Sequence, residues 1–400
     1  MKYCTLLLLA TLLLGGCGMF KASYWPSTAC PQHNTQDADD VCLITHPYQD
    51  QSAESRLRVF TSTVSGDGRL AAVAGVGPDG GKPSPVLLVD MASGGLTEYE
   101  SPGGVNAAAL SPDGTWLAAG TNKGEQYVVR VWRLGSPGNM RDLTAPTVHT
   151  TDSEAFYTSV AFTPDSRTII AGRDTGDIVL WDAATGTVER IITPLKWNQG
   201  ASRLSVSADG TKLATAGVTT GPYVVIYDLR TGAILDSLDV STLDRQQSWP
   251  QGVTFSPDAS TVAITANCRD LDCGGAVWLW DLNTGQTRAL HGHVNDSLSV
   301  VFHPDGRWLA SGGLDNTIRL WDWRAGREIY RMSAPAAHEV ITGTPAPGVP
   351  AGAGGLGSST QGLWSPVNLL SITAKGDLLV FSEPANGQAR AWRLPERLWK

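Results

Sequence analysis

With 400 residues, 42% of them hydrophobic and 44 of them glycine, the chain is long enough to bury a large core, and length alone would allow about two or three domains. A formal charge of −8, from 38 acidic and 30 basic residues scattered along the chain, argues against nucleic acid, whose affinity comes from basic contacts to phosphate, and against adsorption to anionic lipid. A sustained 3.6-residue apolar period is missing, which excludes helical bundles and helical solenoids.

The chain opens MKYCTLLLLATLLLGGCGMF. Lys2 precedes an apolar run of 11 residues, Cys4 to Leu14, too short for a bilayer span of about 20. The run ends in Leu14-Gly15-Gly16-Cys17, which resembles the bacterial lipobox. The resemblance implies a lipoprotein signal peptide over 1–16, cleavage before Cys17, acylation of Cys17 and a lipidated tether over 17–40, polar and marked by Pro26 and Pro31. The alternative is an ordinary secretory signal cut after a small residue. Loss of Lys2 takes the mature chain to −9, so attachment to a membrane would rest on the acyl chains, several of which anchor stably. Gly18 after the lipidated position, by resemblance to Gram-negative lipoproteins, implies the periplasmic side of the outer membrane. Of six cysteines, loss of Cys4 and acylation of Cys17 leave four. Cys30 and Cys42, and Cys268 and Cys273, bracket loops short enough for local disulfides, although four cysteines allow three connectivities. Zinc held by Cys268 and Cys273 with Asp270 and Asp272 is the alternative, without a histidine or a second CxxC to support it.

From Val41 onward one signal recurs, an apolar strand running into a turn built on Asp and Gly. It reads TVSGDGRL at 63–70, AALSPDGTW at 108–116, VAFTPDSRT at 160–168, LSVSADGTK at 204–212, VTFSPDAST at 253–261, SVVFHPDGRW at 299–308 and SITAKGDL at 371–378. A second strand follows each: LLVD at 87–90, VWRL at 131–134, LWDAATG at 180–186, IYDLRTG at 226–232, LWDLNTG at 279–285, LWDWRAG at 320–326 and AWRL at 391–394. The turn positions 67, 113, 165, 209, 258, 305 and 375, with Lys375 for Asp in the last, lie 46, 52, 44, 49, 47 and 70 residues apart. A period in the mid-forties with four short strands per unit is the mark of a β-propeller blade. The predicted fold is all-β, a single seven-bladed propeller of four-stranded antiparallel blades over 41–400. Its blades fall near 57–100, 104–145, 157–194, 201–241, 250–291, 297–334 and 365–394, with a Gly/Pro-rich insertion at 335–364 explaining the longest spacing.

The sixth unit, HGHVNDSLSVVFHPDGRWLASGGLDNTIRLWD at 291–322, resembles the WD-repeat propellers, with Gly292-His293, Ser311, Asp315 and Trp321-Asp322 at that family's positions. The resemblance implies that His293, Ser311, Asp315 and Trp321 form a buried hydrogen-bonded chain. Each of these polar groups can satisfy the next. His293 as a metal ligand or general base is the alternative, but no second His or Cys stands at ligand spacing. The likeness covers roughly 41–394 and is weakest in the first and seventh units. In the third, Ala171 holds the serine position and Asp174 is displaced by a residue; Trp132 and Trp392 are followed by Arg.

The seventh unit reaches Lys400 after three strands, so VCLITH at 41–46 is expected to pair with 389–394 and close the ring, leaving no bare edge. No catalytic constellation is evident. His338-Glu339 lacks the second His of a zinc-protease helix, and GPDGGKP at 77–83 places Pro83 where a phosphate loop needs a hydroxyl. Catalytic residues, metal and cofactor are accordingly expected to be none. Loops between blades, and between the second and third strands of a blade, open onto one face. Tyr157, Trp197, Trp249 and Trp364 precede the next inner strand there, near the Gly/Pro/Ala-rich run 343–362. They would make a binding face for a protein loop or a sugar, unless each packs onto its own blade. The expected function is a non-catalytic protein-interaction scaffold, a monomeric ring in the cell envelope with envelope proteins as partners. A ligand or glycan receptor is the second expectation, and an enzyme with a site assembled across blades the third.

Overall fold

The recurring turn is held by its own side chains. In its second copy Ser111 Oγ donates to Asp113 Oδ1 (2.6 Å) and accepts from the Trp116 N–H (2.8 Å), while Asp113 accepts from the Thr115 N–H (2.9 Å). Gly114 completes the turn at φ 68°, a left-handed conformation that costs an L-residue roughly 1–2 kcal/mol. The same hydroxyl–carboxylate pair closes Ser65–Asp67, Thr163–Asp165, Ser207–Asp209 and Ser256–Asp258, and His303–Asp305 replaces it in the sixth copy. In the seventh the carboxylate has moved past Lys375, and Thr373 Oγ1 donates to Asp377 (2.9 Å).

The structure, a computed structural model, describes residues 40–45, 58–76, 84–123, 126–136, 138–146, 155–193, 203–217, 223–243, 249–267, 275–333, 370–383 and 388–394. Ahead of the first blade lies β1 (Asp40–Thr45). Blade 1 is β2 (Arg58–Val64), β3 (Leu70–Val76), β4 (Val86–Asp90) and β5 (Leu96–Tyr99); blade 2 is β6 (Val105–Leu110), β7 (Trp116–Lys123), β8 (Gln126–Arg133) and β9 (Met140–Leu143). Blade 3 is β10 (Tyr157–Phe162), β11 (Thr168–Arg173), β12 (Ile178–Asp182) and β13 (Val188–Ile192); blade 4 is β14 (Arg203–Val206), β15 (Lys212–Ala216), β16 (Tyr223–Asp228) and β17 (Ile234–Asp239). Blade 5 is β18 (Trp249–Phe255), β19 (Thr261–Asn267), β20 (Val277–Asp281) and β21 (Thr287–Leu290); blade 6 is β22 (Ser297–Phe302), β23 (Leu309–Gly313), β24 (Thr317–Asp322) and β25 (Arg327–Ser333). Blade 7 contributes β26 (Leu370–Ile372), β27 (Leu378–Glu383) and β28 (Gln388–Arg393). Among the described residues there is no α-helix, only a 3₁₀ turn at Val240–Thr242.

These strands make seven four-stranded antiparallel sheets, a seven-bladed propeller. Blade 7 is completed by β1, which pairs with β28 from Asp40↔Arg393 to Thr45↔Gln388, one residue N-terminal of the expected segments. The ring is therefore closed by a strand from the far end of the sequence.

The inner strands are buried at consecutive positions, and successive side chains point to opposite faces, so each blade offers an apolar face to either neighbour. Seven clusters of buried side chains result, one at each blade boundary. The boundary between blades 1 and 7, for example, joins Val64, Val73 and Val89 to Val380 and Ala391. The Trp of the third strand is the largest member of several: Trp132, Trp181, Trp280, Trp321 and Trp392 are each no more than 2% exposed. Backbone and side-chain bonds also cross between neighbouring turns. The Gly66 N–H donates to Pro112 O (3.1 Å), the Ala374 N–H to Gly66 O (2.8 Å), and the Asp113 N–H to Ser166 Oγ (3.2 Å).

Two turn glycines with nearly the same backbone separate conformation from packing. Gly306 (φ 73°) would place a Cβ no closer than 3.7 Å to its neighbours, whereas a Cβ on Gly376 (φ 76°) would overlap the His303 ring of blade 6. Gly306→Ala is expected to cost about 1–2 kcal/mol, and Gly376→Ala about 1–3 kcal/mol more, because the contact between blades 6 and 7 must open. Denaturant titration of both variants checks this, and equal losses would show that the contact can shift freely.

Candidate functional site

The polar side chains singled out in blade 6 converge. Trp321 Nε1–H donates to Ser311 Oγ (2.8 Å), Ser311 Oγ lies 2.7 Å from His293 Nε2, and His293 Nδ1 lies 3.0 Å from Asp315 Oδ1. With His293 Nδ1–H donating to the carboxylate, Nε2 is left to accept the Ser311 hydroxyl proton, so one direction of donation runs along the whole chain. Three elements supply it: His293 stands just before β22, Ser311 lies in β23, and Asp315 and Trp321 come from the turn into β24 and from that strand. His293 is 3% exposed, Trp321 1% and Ser311 fully buried.

Asp315 is the hub. Besides His293 it accepts from the Val294 N–H (3.1 Å), the Thr317 N–H (3.1 Å), Thr317 Oγ1 (2.6 Å) and Arg319 Nη2 (3.3 Å). Burial opposes its ionisation, but the hydrogen bond from His293, joined by those from Thr317 and the Val294 N–H, holds its carboxyl well below the usual range. Arg319, 2% exposed, is shared with Glu328 Oε2 at 2.5 Å. Thr317, Arg319 and Glu328 were absent from the sequence expectation. The signal for Arg319 was available, since Arg130 and Arg390 also stand two residues before the Trp of their strands. Arg130 makes a bidentate pair with Asp142, Nε to Oδ1 at 2.6 Å and Nη2 to Oδ2 at 2.9 Å.

The other blades use substitutes. In blade 4 Tyr227 takes the Trp position and Thr215 the serine position; burial, only partly offset by the Thr215 hydrogen bond, pushes the Tyr227 hydroxyl up to about 12. In blade 3 Trp181 Nε1 reaches Thr144 O at 3.4 Å. The Asp that follows the Trp works elsewhere, capping the outer turn: Asp182 Oδ1 accepts from the Thr185 N–H (2.6 Å), Asp228 from Thr231 (2.7 Å), Asp281 from Thr284 (2.9 Å) and Asp322 from Ala325 (3.0 Å).

The aromatic face differs in part from expectation. Tyr157 is the first residue of β10 but is 1% exposed, its ring packed 5.9 Å from Trp181 and its hydroxyl accepting from Arg173 Nη2 (3.1 Å). Tyr157 therefore does not belong to a surface, because Arg173, its partner across the β10–β11 ladder, draws the polar end inward. Trp249 begins β18 and is partly exposed, with its N–H donating to Asn267 Oδ1 (3.1 Å). Trp197, Trp364, the run 343–362, Cys17, Cys30, Cys268 and Cys273 lie outside the described residues. Cys42 is in β1 opposite Ala391, and its side chain lies outside them too.

Acid sensitivity follows from the turns. Hydrogen bonds from Ser65, Thr163, Ser207 and Ser256 hold Asp67, Asp165, Asp209 and Asp258 below the usual carboxylate range. A depressed folded value stabilises above the unfolded value and is lost as pH falls through the folded one. The thermal midpoint is thus expected to hold down to about pH 4 and to drop below it. Asp258→Asn should flatten that drop in a pH series; an unchanged profile would show that the turn carboxylates do not set it.

Three segments match the family model for the WD domain, G-beta repeat: residues 96–133, 146–182 and 285–322. Each ends on the residue after the Trp, Arg133, Asp182 or Asp322, so the matched unit is offset from the blade. The segment 96–133 starts on the outer strand of blade 1 and ends on the third strand of blade 2. The molecule is thus a seven-bladed propeller carrying WD repeats. It is similar to the Periodic tryptophan protein 2 homolog of Dictyostelium discoideum, 25% identical over 287 residues, which are 65% of this chain and 27% of that protein. It is also similar to Protein groucho of Drosophila melanogaster, 27% identical over 209 residues, 52% of this chain and 21% of that one. The chain spans about a quarter of the length of these curated relatives.

Proposed function

We propose that this chain is a lipid-anchored propeller of the cell envelope acting as a non-catalytic protein-interaction scaffold. The observation that carries the proposal is a closed seven-bladed ring in which three segments match the WD repeat, since WD-repeat propellers usually bind other proteins. The use of His293, Ser311 and Asp315 within blade 6 supports a structural role for the polar groups that a hydrolytic site would recruit. Anchoring rests on the sequence, with acylation at Cys17 behind the apolar run 4–14 and Gly18 directing the chain to the periplasmic side of an outer membrane. In that oxidising compartment Cys30 would pair with Cys42 and Cys268 with Cys273. The ring acts as a monomer, and its partner is an envelope protein. Tyr157 is buried against Trp181 and so withdrawn from any stacking platform on that face, which favours the scaffold over a glycan receptor.

Affinity capture of the full-length protein from gently solubilised native membranes tests this, beside a chain lacking 343–362. A stoichiometric protein partner that disappears with the deletion is the expected result and would place the interaction on that face. No protein partner in either sample would overturn the scaffold in favour of a small-molecule or glycan receptor.

A further inference from the structure

Three outer strands carry an arginine that latches the rim to the next blade. Arg190 of β13 donates from Nη2 to Arg230 O (2.7 Å) and from Nη1 to Thr231 O (3.1 Å), both carbonyls of the outer turn of blade 4. Arg288 of β21 donates to Trp323 O in the outer turn of blade 6. Arg141 of β9 lies over the outer turn of blade 3, where a Cβ on Gly186 would meet its Cδ and Nη1 at 3.1 Å. Residues opposite one another in a ladder share a face of the sheet. Arg141 stands opposite Val131, Arg190 opposite Leu180 and Arg288 opposite Leu279, and each of these partners belongs to the cluster shared with the next blade.

Blade 4 departs from the pattern. The same position there is Asp236 of β17, opposite Ile226, a member of the cluster shared by blades 4 and 5. A carboxylate cannot donate to the outer turn of blade 5. The Asn283 and Thr284 carbonyls of that turn correspond to those of Arg230 and Thr231, are exposed, and take no hydrogen bond from a described residue. A Cβ on Gly285 would meet no described atom within 4 Å, whereas on Gly232 it would meet Arg190 Cδ at 3.5 Å and on Gly326 Arg288 Nη1 at 3.4 Å. Asp236 is exposed, and its one bond among the described residues comes from the Ser237 N–H (2.8 Å). Beside it Leu235, the extra residue of the β16–β17 bulge, is 51% exposed, although the equivalent Ile329 of blade 6 packs against blade 7.

We infer that the rim between blades 4 and 5 takes an arginine from a partner protein, its guanidinium donating to the Asn283 and Thr284 carbonyls and to Asp236, with a neighbouring apolar side chain on Leu235. A guanidinium, with five N–H donors in a fixed plane, can serve both carbonyls, as Arg190 does, and the carboxylate as well. Net charge does not make the choice, since Lys212 reaches the same boundary at Ala259 O (3.4 Å). The choice comes from acceptors that the chain serves with its own arginine at neighbouring boundaries. The inference rests on the scaffold function and adds a contact at the outer rim of the ring.

Fluorescence anisotropy of the full-length protein with a labelled pentapeptide, Leu-Arg-Leu between two glycines, tests the site. A twin peptide carries citrulline, the neutral urea analogue of arginine. The arginine peptide is expected to bind at one site, and the citrulline peptide about tenfold more weakly, equivalent to about 1.4 kcal/mol. Asp236→Arg, which supplies the latch from within the chain, should abolish binding and keep the wild-type thermal midpoint. Glu100→Arg, the same charge change at an exposed site just after β5, should leave binding unchanged. Arg190→Asp copies the blade 4 arrangement between blades 3 and 4 and should raise the stoichiometry from one peptide to two. No binding of the arginine peptide, equal binding of the two peptides, or equal weakening by Asp236→Arg and Glu100→Arg would overturn the rim site, as would a stoichiometry that stays at one in Arg190→Asp. These failures are distinct from failure of the scaffold, which is judged by partner capture.

Discussion

Asp315→Ala is expected to destabilise the propeller by on the order of 3–5 kcal/mol, because removing one partner of a buried charge network leaves the others uncompensated. Five groups lose their acceptor at once: His293, the Val294 N–H, the N–H and hydroxyl of Thr317, and Arg319. Arg319, 2% exposed, keeps Glu328 as its remaining carboxylate, so its share of the loss is the smaller one. Ser311→Ala removes a smaller share, about 1–3 kcal/mol, because only Trp321 Nε1 and His293 Nε2 lose a partner. The order Asp315→Ala, then Ser311→Ala, then wild type in urea midpoint is the expected result. If Asp315→Ala lost less than about 1 kcal/mol, in the range of an exposed ion pair, the blade 6 chain would not be a structural unit.

Deleting residues 40–45 should have the second large effect. Six paired positions tie β1 to β28; at about 1 kcal/mol net for each backbone hydrogen bond, their loss is on the order of 5 kcal/mol. The deletion also bares the edge of β28, and an unpaired edge strand invites association with other chains. Hydrogen exchange should speed up first in β26, β27 and β28 and in the blade 1 strands packed on them, while blades 3 and 4 stay protected. Uniform protection across all seven blades after the deletion would mean that the ring does not depend on its terminal strand.

What the sequence made legible was whatever is local and repeated. The hydroxyl, Asp and Gly of each turn lie within a few residues and make their bonds to one another, so TVSGDGRL and LSVSADGTK announce the same geometry despite little other likeness. Closure by a terminal strand came from counting strands, and both paired segments begin one residue earlier than expected. Bonds across strands were hidden. Arg130 finds Asp142 only because the β8–β9 register sets them side by side, and Tyr157 is drawn inward by Arg173, which the chain places 16 residues away. Asp377 in place of Lys375 shows the same limit, since a carboxylate two residues later in the turn still reaches Thr373.

Native mass spectrometry of the complex extracted intact from membranes tests the central claim most directly, because one spectrum weighs both the anchor and the partner. A chain beginning at Cys17 with the added mass of acyl groups, bound to a second polypeptide, is the predicted result. A chain without acyl mass and without a bound polypeptide would contradict it.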